Sequence, residues 1–395
     1  MIDKPKGFFN SPIIAAAFLM ATSAIGPGFL TQTAVFTNQL LASFGFVILI
    51  SIILDIGAQL NIWKVLAASG MRAQELANKV LPGAGFMLSG LILLGGLAFN
   101  TGNLGGAGLG LNVLTGWSTE AGAVISAAIA VFIFVSKDSM RWMDVFTKVL
   151  GILMIVLTIY VVIVAEPPWG EALQKTIVPD KIDLLAIITL VGGTVGGYIS
   201  FAGAHRLIDA GMTGTVHTKA VGKSAVTAIL LASVMRILLF LAALGVVAKG
   251  VSLDAGNPAA SVFEFAAGRI DYLLFGIVMW SAAITSVVGS AYTTISFFKS
   301  LHPVFKHKEK LMLVGFVVVA LLIFLVVGKP VKTLVVVGAL NGFILPVALI
   351  LILLAAGNKK ITGDYKHPLW LKIFGTAVVA FTLYLSVKTA LTVFY

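Results

Sequence analysis

The run Ala24-Ile25-Gly26-Pro27-Gly28-Phe29-Leu30-Thr31-Gln32-Thr33 lies in the middle of the first long apolar segment of the chain. Gly-Pro-Gly at that depth predicts a broken helix. Proline removes an amide donor, and glycine accepts backbone angles that other residues avoid. In hydrocarbon such a break survives only where protein or a water-filled cavity satisfies the freed amides and carbonyls. A second break, Val191-Gly192-Gly193-Thr194-Val195-Gly196-Gly197-Tyr198, interrupts another long apolar segment about half a chain later. Paired interruptions at corresponding places in two halves point to the binding site of a transporter.

Composition agrees with a membrane setting. Of 395 residues, 59% are hydrophobic and 11% charged, with mean hydropathy +1.05; soluble domains carry about 25% charged residues. The chain is therefore expected to be an all-α polytopic membrane protein. It has no cysteine, which excludes disulfides, thiolate metal sites and cysteine nucleophiles. No cleavable signal is expected, because the first apolar stretch is too long and contains the break. Apolar runs of about 20 residues predict eleven spans, at 12–38, 44–68, 84–114, 119–136, 145–165, 183–211, 223–247, 271–297, 310–327, 332–356 and 369–392.

Alternate loops sort by charge. One set carries Arg72 and Lys79; Lys137, Arg141 and Lys148; Lys219 and Lys223; Lys299, Lys306, Lys308 and Lys310; and Lys359, Lys360, Lys366 and Lys372, with Lys4 and Lys6 on the same side. In the other set the turns near 39–43 and 115–119 have no cation, and 166–182 balances Lys175 and Lys181 against acids. The positive-inside rule then places the N-terminus in the cytoplasm and, with an odd number of spans, the C-terminus outside. The net charge of +11 is thus mostly topology, and no nucleic-acid partner is expected. Residues 1–11 form a cytoplasmic segment, 12–165 a first five-helix repeat, 183–356 a second, inverted repeat, and 369–395 an additional helix. This arrangement predicts two broken helices, the first and the sixth, crossing near the midplane.

These residues resemble the natural resistance-associated macrophage protein (NRAMP) family of divalent-metal transporters. The best-matching stretches are Ser69-Gly70 through Glu75-Leu76-Ala77, Gly106-Ala107-Gly108-Leu109-Gly110-Leu111-Asn112, and Leu345-Pro346-Val347-Ala348. The resemblance implies a LeuT-type 5+5 inverted repeat, alternating access and a bacterial inner membrane. The functional motifs depart from the family. Its first broken helix reads Asp-Pro-Gly-Asn, where this chain has Gly26-Pro27-Gly28-Phe29. Its sixth carries Met-Pro-His, where this chain has Gly196-Gly197-Tyr198. Its third carries an acidic pair implicated in proton transfer, where this chain has Asn100 and Asn103. The chain looks closer to a bacterial branch that carries Gly-Pro-Gly-Phe and is associated with 5-oxoproline utilisation.

A dehydrated divalent cation needs several oxygen or soft ligands and usually formal negative charge. The broken segments offer carbonyls, Thr31, Gln32, Thr33, Thr194 and Tyr198, but no carboxylate. No metal ligand set and no cofactor are therefore assigned, although a hydrated magnesium ion stays open as an alternative cargo. The half-helices after Gly28 and Gly197 begin with unpaired amides and partial positive charge, which suit a carboxylate. The expected pocket is Gly26, Pro27, Gly28, Phe29, Thr31, Gln32, Thr194, Gly196, Gly197, Tyr198 and Asn103. Alternatively, the glycines only let helices pack closely.

Asp55 and Arg236 are the clearest ionisable residues inside spans. They either pair structurally, or Arg236 recognises a substrate carboxylate while Asp55 carries a proton or acts as counter-charge. Asn100 and Asn341 either line a polar path or bond between helices. Thr285 and Ser286, followed by Ser290, Thr293 and Thr294, are candidates for a sodium site, or bond their own helix backbone. His205 and Arg206 read as vestibule or topology charges, with a proton role as the alternative. No phosphate loop or catalytic triad is present, so no enzyme is expected. The expected partners are a small-molecule or ion substrate, the lipid bilayer, and protons or sodium as coupling ions.

Overall fold

The computed structural model describes residues 12–136, 139–299, 305 and 307–394, and among these every regular element is helical. Residues 1–11 and the loop lysines Lys137 and Lys306 lie outside the described residues. The elements are α1 (Pro12–Ala24), α2 (Pro27–Leu40), α3 (Phe44–Ser69), α4 (Ala73–Val80), α5 (Ala84–Thr115), α6 (Thr119–Val135), α7 (Ser139–Ala165), α8 (Trp169–Ile177) and α9 (Leu184–Val195). They continue with α10 (Ile199–Asp209), α11 (Thr218–Val247), α12 (Pro258–Ala267), α13 (Arg269–Lys299), α14 (Glu309–Val327), α15 (Pro330–Ala356), α16 (Lys359–Thr362) and α17 (Leu369–Phe394).

Both expected breaks are present, and their chemistry differs. At the first, the Ile25 amide still reaches Ala21 O at 2.9 Å, whereas the Gly26 amide turns to Ala24 O at 2.9 Å. The helix restarts with Pro27 in its first turn, where a missing N–H has no intrahelical partner to lose. At the second, Gly196 is extended and Gly197 takes the left-handed φ of +54° before α10 begins.

By length and hydropathy, eight helices among the described residues can each cross a membrane, or nine if the bent pair Gly151–Ala165 and Trp169–Ile177 is one span. The difference from eleven has local causes. The break leaves Pro12–Ala24 too short, and Thr119–Val135 is also a shorter apolar helix. Moreover, α2 and α3 run together as one 43-residue stretch, because only a 3-10 turn over Leu41–Ser43 separates them.

The apolar interior divides in two. A smaller cluster joins α5, α6, α13 and α14 through Leu104, Ala127, Val288, Ala291, Val317 and Phe324. A larger one joins α1, α2, α3, α9, α10, α11 and α15. Helix α5 is the post between them, and its glycine run is explained by crowding. A Cβ on Gly105 would lie 2.6 Å from Phe324, on Gly106 2.1 Å from Pro27, on Gly108 2.1 Å from Thr119 O, and on Gly110 2.6 Å from Trp280 N. The glycine run of α5 is thus a packing pattern.

The last helix is tied down by a buried polar chain. His367 lies 2.8 Å from Asn61 Oδ1 and 3.0 Å from the Tyr365 hydroxyl. Asn61 belongs to α3, and its amide also donates to Gly57 O at 2.8 Å. In the loop before α17, burial pushes the His367 imidazole down to about 4, with Lys372 and Lys64 acting in the same direction. Burial pushes the Tyr365 phenol up to about 12. His367 is therefore uncharged at neutral pH and anchors α17 to α3 as a hydrogen-bonding group.

Candidate functional site

The two breaks meet a shared set of polar side chains from α5, α13 and α15. Beside the first break, a Cβ on Gly26 would lie 2.8 Å from Ser286 Oγ and 3.5 Å from Asn103 Oδ1. Gly26 thus makes room for both. One turn on, the Gln32 amide donates to Leu334 O at 2.9 Å across 302 residues of sequence. Its other atom, Oε1, points at Gly193, where a Cβ would stand 2.8 Å away. Gln32 therefore joins α2 to α9 and α15. Thr33 bonds its own helix at Phe29 O, at 2.7 Å, and does not join this group.

Beside the second break, Asn341 of α15 donates to Gly95 O at 3.2 Å and Val337 O at 3.0 Å. A Cβ on Gly197 would lie 1.8 Å from Asn341 Oδ1, and one on Gly192 would lie 1.9 Å from Gly338 O. The Tyr198 ring meets Phe99 edge-on, with centroids 5.5 Å apart. Ser290 donates to Asn100 Oδ1 at 3.0 Å. Of the hydroxyls on α13, Thr285 bonds its own backbone at Ala282 O, 3.0 Å away, while Ser286 faces Gly26.

Most of these groups are buried and incompletely bonded. Asn100 Nδ2, Asn103 Nδ2, Ser286 Oγ and the Tyr198 hydroxyl have no hydrogen-bond partner. The same holds for Thr31 Oγ1, Gln32 Oε1 and Asn341 Oδ1. Buried polar groups are ordinarily paired, so this concentration of unpaired ones around the two helix breaks sets the region apart from the rest of the interior. Among the described residues, no three His, Cys, Asp or Glu side chains converge as a metal centre.

A second cluster lies beside the first. Arg236 stacks over the Phe29 ring at 3.9 Å and donates to Thr194 Oγ1 at 3.3 Å. It shares a cavity with Asp55, Ser51 and Ser233. Sequence reasoning missed Phe29 as the cover of Arg236, and also missed Ser51 and Ser233. The spacing held a signal: Ser51 precedes Asp55 by one helical turn, and Ser233 precedes Arg236 by three residues, so each pair shares a helix face.

The two ends of the assembly differ. At the end bearing Arg72, that side chain pairs with Asp209 at 2.7 Å and donates to Ser296 O at 3.4 Å. His205 accepts from the Ala73 amide at 3.3 Å and packs on Phe297 and Phe201. Arg206, next to it, is exposed. This joins α4, α10 and α13. At the opposite end a cavity of about 460 Å³ opens between α2 and α15, lined by Val35, Gln39, Lys329, Lys332 and Val335. Val335 follows Leu334, the partner of Gln32, so the cavity approaches the first break from that side.

Known proteins share this architecture. A Bacillus subtilis membrane protein, YcsG, is 58% identical over 382 residues, covering 97% of this chain and 95% of that one. A Haemophilus influenzae membrane protein is 56% identical over 383 residues, covering 97% and 96%. Among solved structures, a manganese transporter of Eremococcus coleocola superposes with a TM-score of 0.75 at 15% identity, covering 98% of this chain and 89% of that one. MhsT, solved with L-phenylalanine, gives a TM-score of 0.67 at 16% identity, with 94% and 98% covered. At such identities these two likenesses establish the LeuT-like fold alone. The family model described as natural resistance-associated macrophage protein-like matches residues 17–392, and the chain belongs to that family of membrane transporters.

Proposed function

We infer that this secondary transporter moves a small carboxylate-bearing organic solute, with 5-oxoproline or an amino-acid-like acid as the class to test. One observation carries the reading: the buried, unpartnered groups on Thr31, Gln32, Asn100, Asn103, Tyr198, Ser286 and Asn341 are amides and hydroxyls, and the carboxylate nearby, Asp55, shares its cavity with the cation Arg236. The first turns of α2 and α10 add backbone N–H groups and partial positive charge. Asn103 Nδ2, Ser286 Oγ and the Tyr198 hydroxyl can each donate to a carboxylate oxygen. MhsT, solved with L-phenylalanine, supports the idea that a fold of this shape accommodates an amino acid. The manganese transporter supports the rival, a divalent cation. Gln32 Oε1 and Asn341 Oδ1 are the oxygens such a cation would use, and a largely hydrated magnesium ion is the form that needs fewest of them.

Transport follows from rocking α1–α2, α3, α9–α10 and α11 against the remaining helices. The smaller apolar cluster of α5, α6, α13 and α14 would hold part of the opposing body together, while α15 packs across the seam. In this reading the repeats are 12–165 and 183–356, with 369–395 added. The Arg72 end faces the cytoplasm of a bacterial inner membrane, which puts the N-terminus inside and the C-terminus outside. The 460 Å³ cavity is then the outer vestibule of a state closed on the inside.

Thermal unfolding of the purified protein with 5-oxoproline, glutamate, magnesium or manganese tests the reading. A ligand at a hundredfold excess over its Kd stabilises by about 2.7 kcal/mol. Stabilisation by an acid and not by a metal is expected. The reverse result would replace the organic anion with a cation.

A further inference from the structure

The Asp55–Arg236 cluster lies one step from both breaks and is not used by the carboxylate-binding groups themselves. Asp55 on α3 and Arg236 on α11 are both buried, at 2% and 3% exposure. Among the described residues the ion pairs within 4.0 Å involve other side chains, so these two are not in direct contact. Asp55 Oδ1 and one terminal nitrogen of Arg236 have no hydrogen-bond partner. Between them is a cavity of about 10 Å³, at the lower limit of the room one water needs.

Four elements close this cavity: Phe29 from α2, Ser51 and Asp55 from α3, Thr194 from α9, and Ser233 and Arg236 from α11. Arg236 is the charge that faces Asp55, and Phe29, Thr194, Ser51 and Ser233 carry none. Phe29 adjoins Gly28, and Thr194 precedes Gly196 by two residues. The pair is thus mechanically attached to both breaks while held apart from each other.

We propose that Asp55 is the coupling-proton site of this transporter, taking up one proton for each carboxylate substrate bound at the neighbouring breaks. Charge balance is the reason. With Asp55 ionised and Arg236 charged, the cluster is neutral. An anionic substrate would leave one net negative charge in a dry, low-dielectric region, which is strongly unfavourable. A proton arriving from the outer side on the Asp55 carboxylate restores neutrality. Reopening to the inner side releases proton and substrate together, so transport of a monoanion is electroneutral. A directly bonded ion pair would hold the carboxylate ionised, whereas the observed separation leaves it free to be protonated. By linkage, acid and substrate strengthen each other's binding by one factor.

This inference rests on the carboxylate reading for its stoichiometry but not for the proton site, and two measurements separate them. The first uses purified protein without substrate: infrared difference spectra between alkaline and acid buffer should show a protonated-carboxyl band. That band should vanish in Asp55→Asn and shift in Asp55→Glu; a band unchanged in both would overturn the proposal. The second uses proteoliposomes and labelled 5-oxoproline. Wild-type uptake should rise about tenfold with acid outside, with one proton entering per substrate and no response to a potassium–valinomycin potential. Accumulation without proton entry would overturn the proposal, and this test needs no variant to fold. Failure to take up 5-oxoproline, together with an Asp55-dependent carboxyl band, would reject the substrate reading and uphold the proton site.

Discussion

The two helix breaks do the same geometrical job by different means. The first is set by local chemistry. Gly26 has φ −112°, which any residue can adopt, and Pro27 supplies the interruption. Its surroundings are flexible side-chain ends, Ser286 Oγ and Asn103 Oδ1. The second is set by tertiary packing. Gly197 is left-handed, and Gly192 and Gly196 lie against main-chain atoms of α15 and of α9 itself. The first break is therefore adaptable and the second locked, which points to the first as the side where ligand chemistry can change most readily.

Four substitutions test that contrast. Gly197→Ala should do most damage, because it combines an unfavourable φ with a Cβ 1.8 Å from Asn341 Oδ1. A loss of about 3 kcal/mol is expected, visible as a collapse of folded yield in size-exclusion chromatography. Normal yield would mean the second break is not locked. Gly192→Ala comes next, since its Cβ would meet Gly338 O at 1.9 Å. It should lower the unfolding midpoint by the equivalent of about 2 kcal/mol.

Gly26→Ala should be milder in stability, under about 1 kcal/mol, because the Ser286 hydroxyl can swing aside. Its methyl nevertheless intrudes between Ser286 and Asn103, so labelled 5-oxoproline uptake should fall about tenfold. A stability loss equal to that of Gly197→Ala would erase the distinction between the breaks. Arg72→Gln should have the smallest effect. Asp209 is half exposed, and such pairs are worth about 1 kcal/mol at most. The inward-open population should rise no more than about fivefold, measured by labelling of a cysteine introduced at Phe297; no rise would remove Arg72 from the closure.

Sequence and structure agree where backbone energetics is local. Pro27 and the Gly196-Gly197 pair announce their breaks because they change what one or two residues can do. Long-range meetings leave no such trace. Nothing in the residues around Gln32 names Leu334 as its partner, and the pairing of Asn61 with His367 spans 306 residues. Glycine clusters were ambiguous for a physical reason. Gly192 and Gly193 share a run with Gly196 and Gly197 yet remain inside α9, serving close approach to α15 and Gln32. Close packing thus accounts for Gly192 and Gly193, whereas Gly196 and Gly197 pack closely and also form the break. Asp55 and Arg236 were identifiable as rare buried charges, but not their separation, which depends on how α3 and α11 sit against Phe29 and Thr194.

The anchoring of α17 has a mechanical consequence. Its hydrogen-bonded tether runs to α3, one of the helices assigned to the rocking body, while only 33% of its apolar window is buried in the protein. Because α17 also packs on α15, which belongs to the opposing body, it would act as a strap across the seam, with its outer face among the acyl chains. Each cycle would displace lipid along its length, so turnover should slow in thick or viscous bilayers. Truncation before Leu369 would lift that drag and would also expose Asn61 and Gly57 to lipid.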